Sequence, residues 1–472
     1  MEKGELSTDD LQTLVLEYGD YSSLLSSVAG MIGRYQTTLQ TAQTQLDERQ
    51  RGLGMNVLPV EVIEYIFHLA CSEPRTPLHP IDKQLDTRRF SLAHVNRLWR
   101  AIALNKVELW ADVVISRGTP PEYISFLLDH SKSCTLHIAV DLVHPAIKSR
   151  PCIPSDVPDH QGDELEQTHR GLILNMASRC RVLIITFTSI NACDALITHM
   201  ASSSLNGLEQ VCLRGLSPDP YYHSIPALIH IPNLRKITSS HSLILSPDLC
   251  SVIEYISMPC VVSVALWMLE TCPNLEHAAL QLTSDILVLH RVLHQRLRYL
   301  EVALATGSSS SWDVLIGLLT ALSLPHLEVF NIVVPLGAFW LQPPANELIK
   351  LPEFDHVREV VIDFNDCLGQ LERGYQSAIR LLAAFPNLEH LQFRNFEPST
   401  FRKVLEGATA GVVLMMLRLE RLVLVRNTAH ITSIREDMDA IIGLLRTDST
   451  NQRLRTVTVI VEGFEGSVGY HT

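Results

Sequence analysis

The residues whose spacing best suits metal chemistry are His290 and His294, four positions apart in the stretch HRVLH. On a helix this spacing places two imidazoles on one face, where they could hold a zinc ion. The corresponding metalloprotease pattern has Glu at its second position, whereas this chain has Arg291, and no cluster of Asp and Glu shows ligand spacing. The sequence therefore predicts a solvated helix face at this stretch, and neither a metal ion nor another cofactor.

Sequence markers of three common enzyme classes are absent. The chain has no G-x-x-x-x-G-K-[ST] phosphate loop, no G-x-S-x-G nucleophile elbow and no glycine-rich dinucleotide fingerprint. A Ser-His-Asp triad assembles only in space, and nothing in this sequence singles out one set of such residues. We predict that the chain carries no catalytic residues and is not an enzyme.

Composition indicates a protein with ample core material and an acidic balance. Of the 472 residues, 46% are hydrophobic and 19% are charged, and the formal net charge of -13 disfavours a nucleic-acid partner. The 10 cysteines include no C-x-x-C pair and lie among apolar residues, as reduced core thiols do. An acidic start, the lack of an N-x-[ST] sequon and the shortness of the longest apolar run, 260–269, favour the cytoplasm or the nucleus and no membrane partner.

The segment that organises the chain is a small helical module at 55–115. Pro59 fits the first turn of a helix, and Glu61 behind it is favoured at the positive helix end. Apolar residues then recur at helical spacing in two segments, LPVEVIEYIFHLA and RRFSLAHVNRLWRAI. A short third turn carries Leu109 and Trp110. The module is therefore predicted to be α-helical.

This module resembles the F-box, the adaptor-binding module of Skp–cullin–F-box ubiquitin ligases, and most closely the F-box-like proteins of fungi. The family pattern of Leu-Pro, Ile-Phe, Val-x-x-x-Trp and Leu-Trp is present in order. Two features differ: Asn96 stands where the family usually has Cys, and the insert at 72–88 is long, with three prolines that predict a surface loop. The resemblance implies binding to a Skp-type adaptor and, through it, to a cullin. The adaptor-binding residues that it implies are Leu58, Pro59, Val62, Ile63, Ile66, Phe67, Leu92, Val95, Trp99 and Trp110.

The chain before the module divides into two parts. Residues 1–21 are polar and lack periodicity, so we expect partial disorder there. In 22–54 apolar residues alternate three and four apart, which is the heptad spacing of a coiled-coil helix. Two interpretations stay open: this helix packs on the module behind it, or residues 25–53 mediate self-association.

Beyond the module, residues 116–461 contain a loose repeat. Ten units begin with Leu or a similar residue and are apolar again at the fourth and sixth positions, as in LEHAAL from Leu275 and LEHLQF from Leu388. This alternation predicts a short strand in each unit, and helical segments lie between units. Parallel strands joined by helices predict an α/β solenoid, with a loop at 144–160 and a flexible tail at 462–472. The long step from Leu234 to Leu275 hides either a degenerate strand or a loop.

The repeats are similar to the leucine-rich repeats that follow many F-boxes, although the Asn or Cys that the family carries after the strand is missing. The repeats should therefore be irregular, and their backbone carbonyls need other donors. Residues between the apolar positions should face outward, and solenoids bind partners on such extended faces. The predicted outward column comprises Gln210, Cys212, Lys236, Thr238, His277, Ala279, Tyr299, Glu301, Val329, Asn331, Glu359, Val361, His390, Gln392, Arg421, Val423, Thr456 and Thr458.

Two functional interpretations follow. The first is a non-catalytic substrate receptor of a Skp–cullin–F-box ubiquitin ligase, in which the module binds the adaptor and the repeats bind a target protein. The second is a leucine-rich-repeat scaffold whose F-box-like segment only caps the solenoid and binds no adaptor. The exposure of Phe67 and Trp99 in the fold should distinguish them. The candidate target-binding residues are Lys236, His277, Tyr299, Glu301, Asn331, Glu359, His390, Gln392 and Arg421.

Overall fold

In the computed structural model the chain divides into two compact units. The first comprises Met1–Pro74 and Asp82–Lys106, and the second comprises Arg75–Ile81 and Val107–Thr472. The structure describes residues 58–71, 83–116, 118–143, 167–202, 205–216, 223–283, 291–304, 311–334, 354–364, 381–395, 419–426, 456–461 and 467–471, with short stretches inside 26–45 and 399–403. The predicted loop at 144–160 and the predicted disordered segment 1–21 lie outside the described residues.

Besides the short helical stretches inside 26–45, the described part of the first unit contains three helices: α1 (Val60–Cys71), α2 (Lys83–His94) and α3 (Arg97–Asn105). As the sequence predicts, α1 begins directly after Pro59. The helix α2 differs from expectation, because it starts inside the insert 72–88 that was predicted to be a loop. The last proline of that insert is Pro80, and beyond it nothing prevents helical hydrogen bonding. Residues 83–88 of the insert are therefore helical.

Of the heptad positions in 22–54, the described residues include Leu39, which is helical and exposed. Helical geometry around it is supported by Thr38 and Thr41, whose hydroxyls donate to carbonyls four residues earlier. The remaining heptad positions lie outside the described residues. Intramolecular packing and self-association both stay open for this segment.

The second unit is dominated by one sheet of 14 strands. It is a mixed α/β structure, as predicted. Among the described residues, no helix is both long and apolar enough to cross a bilayer. The helices of this unit are α4 (Pro121–Ser131), α5 (Gln167–Ala177), α6 (Ile190–Ala201), α7 (Pro247–Cys250), α8 (Val262–Thr271) and α9 (Ser311–Ala321). The strands are β1 (Asp112–Ser116), β2 (Leu136–Asp141), β3 (Cys180–Phe187), β4 (Gln210–Gly215), β5 (His223–Ser224), β6 (Lys236–Ser239), β7 (Leu243–Ile244), β8 (Tyr255–Cys260), β9 (His277–Leu282), β10 (Val292–Leu293), β11 (Tyr299–Leu304), β12 (Leu322–Ser323), β13 (Val329–Val333), β14 (Glu359–Asp363), β15 (His390–Arg394), β16 (Arg421–Arg426), β17 (Thr456–Val461) and β18 (Ser467–His471).

The strand order of the large sheet follows the chain: β1-β2-β3-β4-β6-β8-β9-β11-β13-β14-β15-β16-β17-β18. Every pairing from β1 to β17 is parallel, and β17 pairs with β18 antiparallel. The short strands form two parallel pairs, β5 with β7 and β10 with β12. The large sheet has two ends and is therefore open, not a closed barrel.

Alternating burial along the strands explains why these sequences form the sheet. In β8 and β11 every second residue is buried and the residues between are half-buried. The leading residues of the units, such as Leu275, Leu297 and Leu327, are buried as well. Burying each such side chain stabilises the fold by roughly 1.5–3 kcal/mol before entropy losses. The apolar positions that recur in the sequence are therefore the positions that form the core.

The long step between Leu234 and Leu275 contains a strand, which is one of the two alternatives that the sequence left open. The strand is β8, and it pairs with β6 on one side and β9 on the other. Its unit follows the pattern of the others, with Ile253, Ile256 and Met258 at the first, fourth and sixth positions, and all three are buried. The part of the predicted tail at 467–471 also differs from expectation, because it forms β18 and pairs with the backbone of β17.

In some of the turns that precede a strand, an Asn side chain donates to a backbone carbonyl of the preceding repeat. In the Pro-Asn-Leu turns, the amide Nδ2 of Asn274 donates to the carbonyl of Ser251 at 2.6 Å, and that of Asn387 donates to the carbonyl of Asp355 at 2.9 Å. Each bond joins one repeat to the preceding one. These amides satisfy carbonyls of the turns that precede the strands.

Candidate functional site

The ten residues that the F-box resemblance assigns to adaptor binding differ in exposure. The side chains of Leu58, Val62 and Val95 are 39%, 41% and 43% exposed. Apolar residues with this much exposure are unusual when they recur in one small unit, and they mark contact surfaces. The exposed residues are Leu58, Pro59, Val62 and Val95, the half-buried residues are Ile66 and Leu92, and the buried residues are Ile63, Phe67, Trp99 and Trp110.

Helix α1 exposes further apolar side chains that the resemblance did not point to. Tyr65 and Leu69 are 61% and 58% exposed. With Val62 they follow the three-and-four spacing of one helix face. We call Val62, Tyr65 and Leu69 the α1 apolar face. The sequence signal was present in this spacing, but the buried stripe through Ile63 and Phe67 was the more obvious one.

Buried aromatic packing positions this face. The rings of Phe67 and Trp99 meet edge to face, with centroids 5.2 Å apart. Asn96, which departs from the family pattern, is the N-cap of α3, and its Oδ1 accepts the N–H of Trp99 at 2.8 Å. At the other end of α3, Lys106 Nζ lies 2.9 Å from Glu64 Oε2 of α1. A cap and an ion pair therefore fix α3 against α1.

Trp110 belongs to the second unit and is fully buried there. Its ring contacts Phe126 edge to face at 5.3 Å and lies 5.6 Å from the ring of His130. Both partners are on α4. Trp110 therefore packs the start of the second unit, and its ring is not exposed to a partner in this structure.

The nine candidate target-binding residues lie on the large sheet, at the first or third residue of their strands. Along the first row, neighbouring strands bring together Lys236, Tyr255, His277 and Tyr299. Glu359, His390 and Arg421 continue this row across β14, β15 and β16. The second row holds Glu301, Asn331 and Gln392 in β11, β13 and β15.

Four members of the predicted outward column are in fact buried: Cys212, Thr238, Val361 and Val423. Small or compact side chains on a strand are covered by longer neighbours on the same face. For Cys212 the neighbour is Arg214, which lies two residues further along the same face of β4. The nine candidate target-binding residues are all exposed or half-buried.

The column also includes Tyr255 of β8, whose unit begins with Ile253 and is not among the ten predicted units. The ring of His277 lies between two tyrosines, with centroids 6.3 Å from Tyr255 and 5.6 Å from Tyr299. Burial raises the pKa of Tyr255, and Glu301 adds to the effect. The three rings form an aromatic row across β8, β9 and β11.

A hydrogen-bonded cluster adjoins this row. The hydroxyl of Tyr299 donates to Glu301 Oε2 at 2.8 Å, and Asn331 Nδ2 donates to the oxygen of Tyr299. Burial, followed by the charge of Glu301, raises the pKa of Tyr299 well above its usual value. Among the described residues, the buried Oδ1 of Asn331 and Nδ1 of His390 have no hydrogen-bond partner. The cluster thus retains acceptor capacity that the chain itself does not use.

The stretch with two histidines does not form a solvated helix face at His294. That residue follows the short strand β10 and is buried. Its Nε2 donates to the carbonyl of Cys272 at 2.9 Å, and its Nδ1 accepts the N–H of Leu297 at 3.0 Å. Burial lowers the pKa of His294. His290 lies outside the described residues, and the described part of the chain contains no group of three metal-ligating side chains.

Two features with nucleophilic side chains carry structural roles. Ser240 Oγ lies 3.0 Å from His241 Nδ1, but it accepts the N–H of Gly215 at 2.7 Å and His241 is buried. A Cβ on Gly215 would come 1.6 Å from Cε1 of His241, so the imidazole takes the place of a side chain there.

Burial raises the pKa of the thiols of Cys180 and Cys260 to about 12, so both stay protonated and unreactive.

No protein-family model matches the chain, and no curated protein sequence matches it either. Its function is therefore inferred from the two surfaces described above, the α1 apolar face with Leu58 and Val95 around it and the outward column of the sheet.

Proposed function

We propose that the chain is a non-catalytic substrate receptor of a Skp–cullin–F-box ubiquitin ligase. The first unit is an F-box-like module that binds a Skp-type adaptor and, through it, a cullin. The observation that carries the proposal is the exposure of Leu58, Val62 and Val95, three residues that the resemblance assigns to the adaptor. Without a partner these apolar side chains remain in water.

The second unit, in this proposal, is an irregular leucine-rich-repeat solenoid whose outward column binds a target protein. The parallel pairing of successive repeats in chain order supports this architecture. The mixed polar and aromatic residues of the column supply the hydrogen-bonding groups that target recognition requires. The receptor would contribute proximity and no chemistry of its own, by holding a target lysine near a partner enzyme in the cytoplasm or nucleus.

A second candidate function is a leucine-rich-repeat scaffold that binds no adaptor. Its support is the burial of Ile63, Phe67 and Trp99, which places the most apolar part of the module in the protein's own core. In that function the exposed residues of α1 would have no specific partner. The two candidates therefore differ in what covers Val62 and Val95.

Co-purification with a Skp-type adaptor separates the two candidates. The adaptor should be retained by the wild type and lost with Val62→Asp combined with Val95→Asp, because both side chains are exposed and their replacement leaves the core intact. The matched control is Leu216→Asp combined with Leu293→Asp, which introduces the same charges at exposed apolar positions of the second unit. Equal retention by all three proteins, or no retention by the wild type, would exclude the receptor function.

A further inference from the structure

The strands at the centre of the sheet carry carboxylates on their outward side. The outward positions are the first, third and fifth residues of each strand. On the five neighbouring strands β8, β9, β11, β13 and β14 these positions hold the carboxylates of Glu301, Glu359 and Asp363 and no Lys or Arg. The basic side chains of the same face lie further out, at Lys236 of β6 and on β15 and β16.

Aromatic rings border these carboxylates. Tyr255, His277 and Tyr299 form the aromatic row described above, with His277 exposed at its centre. The next outward positions beside the rings are Ser257 and Ala279, whose side chains are small. Ring faces attract cations, and the attraction grows when carboxylates lie close by.

Two of the three carboxylates have spare hydrogen-bonding capacity. Glu301 accepts one bond from Tyr299, and Glu359 is half-buried. Among the described residues, neither glutamate pairs with a Lys or Arg, and Oδ1 of Asn331 has no donor. Asp363 differs, because Asn395 Nδ2 donates to it at 2.6 Å. The charge of Arg394 reaches Tyr299, but no ion pair joins Arg394 to either glutamate.

From this juxtaposition of ring faces and carboxylates, we infer that the centre of the sheet binds an arginine or lysine side chain of an extended segment of the target protein. A guanidinium or ammonium group donates hydrogen bonds to carboxylates and is attracted to ring faces, so it satisfies both kinds of group. The inference rests on the proposed role of the sheet in target binding and specifies the chemistry of that target. A basic partner also suits a chain of net charge -13.

Fluorescence anisotropy with short labelled peptides tests this inference on the full chain. The probe is a nonapeptide of three Gly-Ser-Arg repeats, and its counterpart is the same peptide with Glu in place of Arg. The wild type should bind the Arg peptide at least about tenfold more tightly than the Glu peptide, and added salt should weaken this binding.

Isosteric variants locate the binding site. Glu301→Gln combined with Glu359→Gln should weaken binding of the Arg peptide about tenfold, since two charge-assisted contacts are lost. The control Glu122→Gln combined with Glu270→Gln removes the same charge from helices α4 and α8 and should bind as the wild type does. His277→Ala should weaken binding severalfold, because it removes the exposed ring.

Three outcomes would overturn the inference: equal affinity of the wild type for both peptides, no binding of either, or undiminished binding by the Glu301 and Glu359 double variant. Adaptor retention is measured on the same proteins. Because the sheet variants leave α1 unchanged, they should retain the adaptor as the wild type does. Absence of adaptor binding by the wild type would count against the receptor function alone, whereas peptide binding decides the chemistry of the sheet.

Discussion

His294 joins two consecutive repeats and provides the sharpest test of the fold's energetics. Its Nδ1 accepts two backbone N–H groups, from Arg296 at 3.2 Å and Leu297 at 3.0 Å, and its Nε2–H donates to the carbonyl of Cys272. That carbonyl also accepts the N–H of Leu275 at 3.1 Å. Loss of the imidazole therefore leaves the two N–H groups without a partner, while the carbonyl keeps one.

Two substitutions separate these bonds. His294→Asn places an oxygen where Nδ1 stands and should cost about 1–2 kcal/mol, for the lost Nε2 bond and ring volume. His294→Phe keeps the volume but removes the acceptor, and it should cost about 3–4 kcal/mol because two N–H groups, one of them buried, lose their bonds. Hydrogen exchange of peptides covering 291–304 measures the difference, with amide opening about thirtyfold more frequent in the Phe variant than in the Asn variant.

The same residue makes the repeat sensitive to acid. Protonation of Nδ1 would turn this acceptor into a donor that faces two backbone N–H groups. Burial already lowers the pKa of His294 below its usual 6.5. As pH falls below about 6.5 the unfolded chain takes up a proton that the folded chain does not, so stability is lost. Protection of 291–304, corrected for intrinsic exchange, should fall between pH 7.5 and 5.0, and less so in His294→Asn. An equal loss of protection in the Asn and Phe variants, or a pH dependence of the Asn variant equal to that of the wild type, would refute this reasoning.

Three further substitutions test local features. Asn96→Ala removes the cap of α3 and should cost about 1 kcal/mol, seen as about fivefold faster exchange of its first amides, whereas Asn96→Asp should exchange as the wild type does. Gly215→Ala should lower the melting temperature, at a cost of about 1–3 kcal/mol, because its Cβ would displace His241; an unchanged melting temperature would contradict that contact. Arg358 forms an exposed ion pair of 3.3 Å with Glu389. Arg358→Glu should cost less than about 1 kcal/mol of stability, and this effect should disappear in high salt.

Features set by local periodicity could be predicted from the sequence. The start of α1 after Pro59 follows from the geometry of proline, and the alternation within units such as LEHAAL predicted the parallel strands. These signals are repeated several times along the chain. The mixed α/β class is confirmed for that reason.

Features set by contacts between distant residues could not be predicted. The sequence leaves a strand or a loop open between Leu234 and Leu275, and the pairing of β8 with β6 and β9 decides for the strand. The HRVLH spacing suggests that His294 is one of a pair on a helix, but burial, one hydrogen bond to the preceding repeat and two within its own turn determine its role. Asn96 looked like a departure from a family pattern, although it caps a helix. The exposure of Val62 beside buried Ile63 likewise depends on tertiary packing.

The affinity of the purified chain for a Skp-type adaptor tests the receptor function most directly. At 41% exposure, the side chain of Val62 offers on the order of 60 Å² of apolar surface to a partner. Burying this area at about 25 cal/mol per Å² would contribute about 1.5 kcal/mol to binding, which is roughly tenfold in Kd. Isothermal titration calorimetry should therefore give saturable binding to the wild type and at least about tenfold weaker binding to Val62→Asp, with Leu293→Asp unchanged. No binding by the wild type, or equal Kd values for all three proteins, would contradict the proposed function.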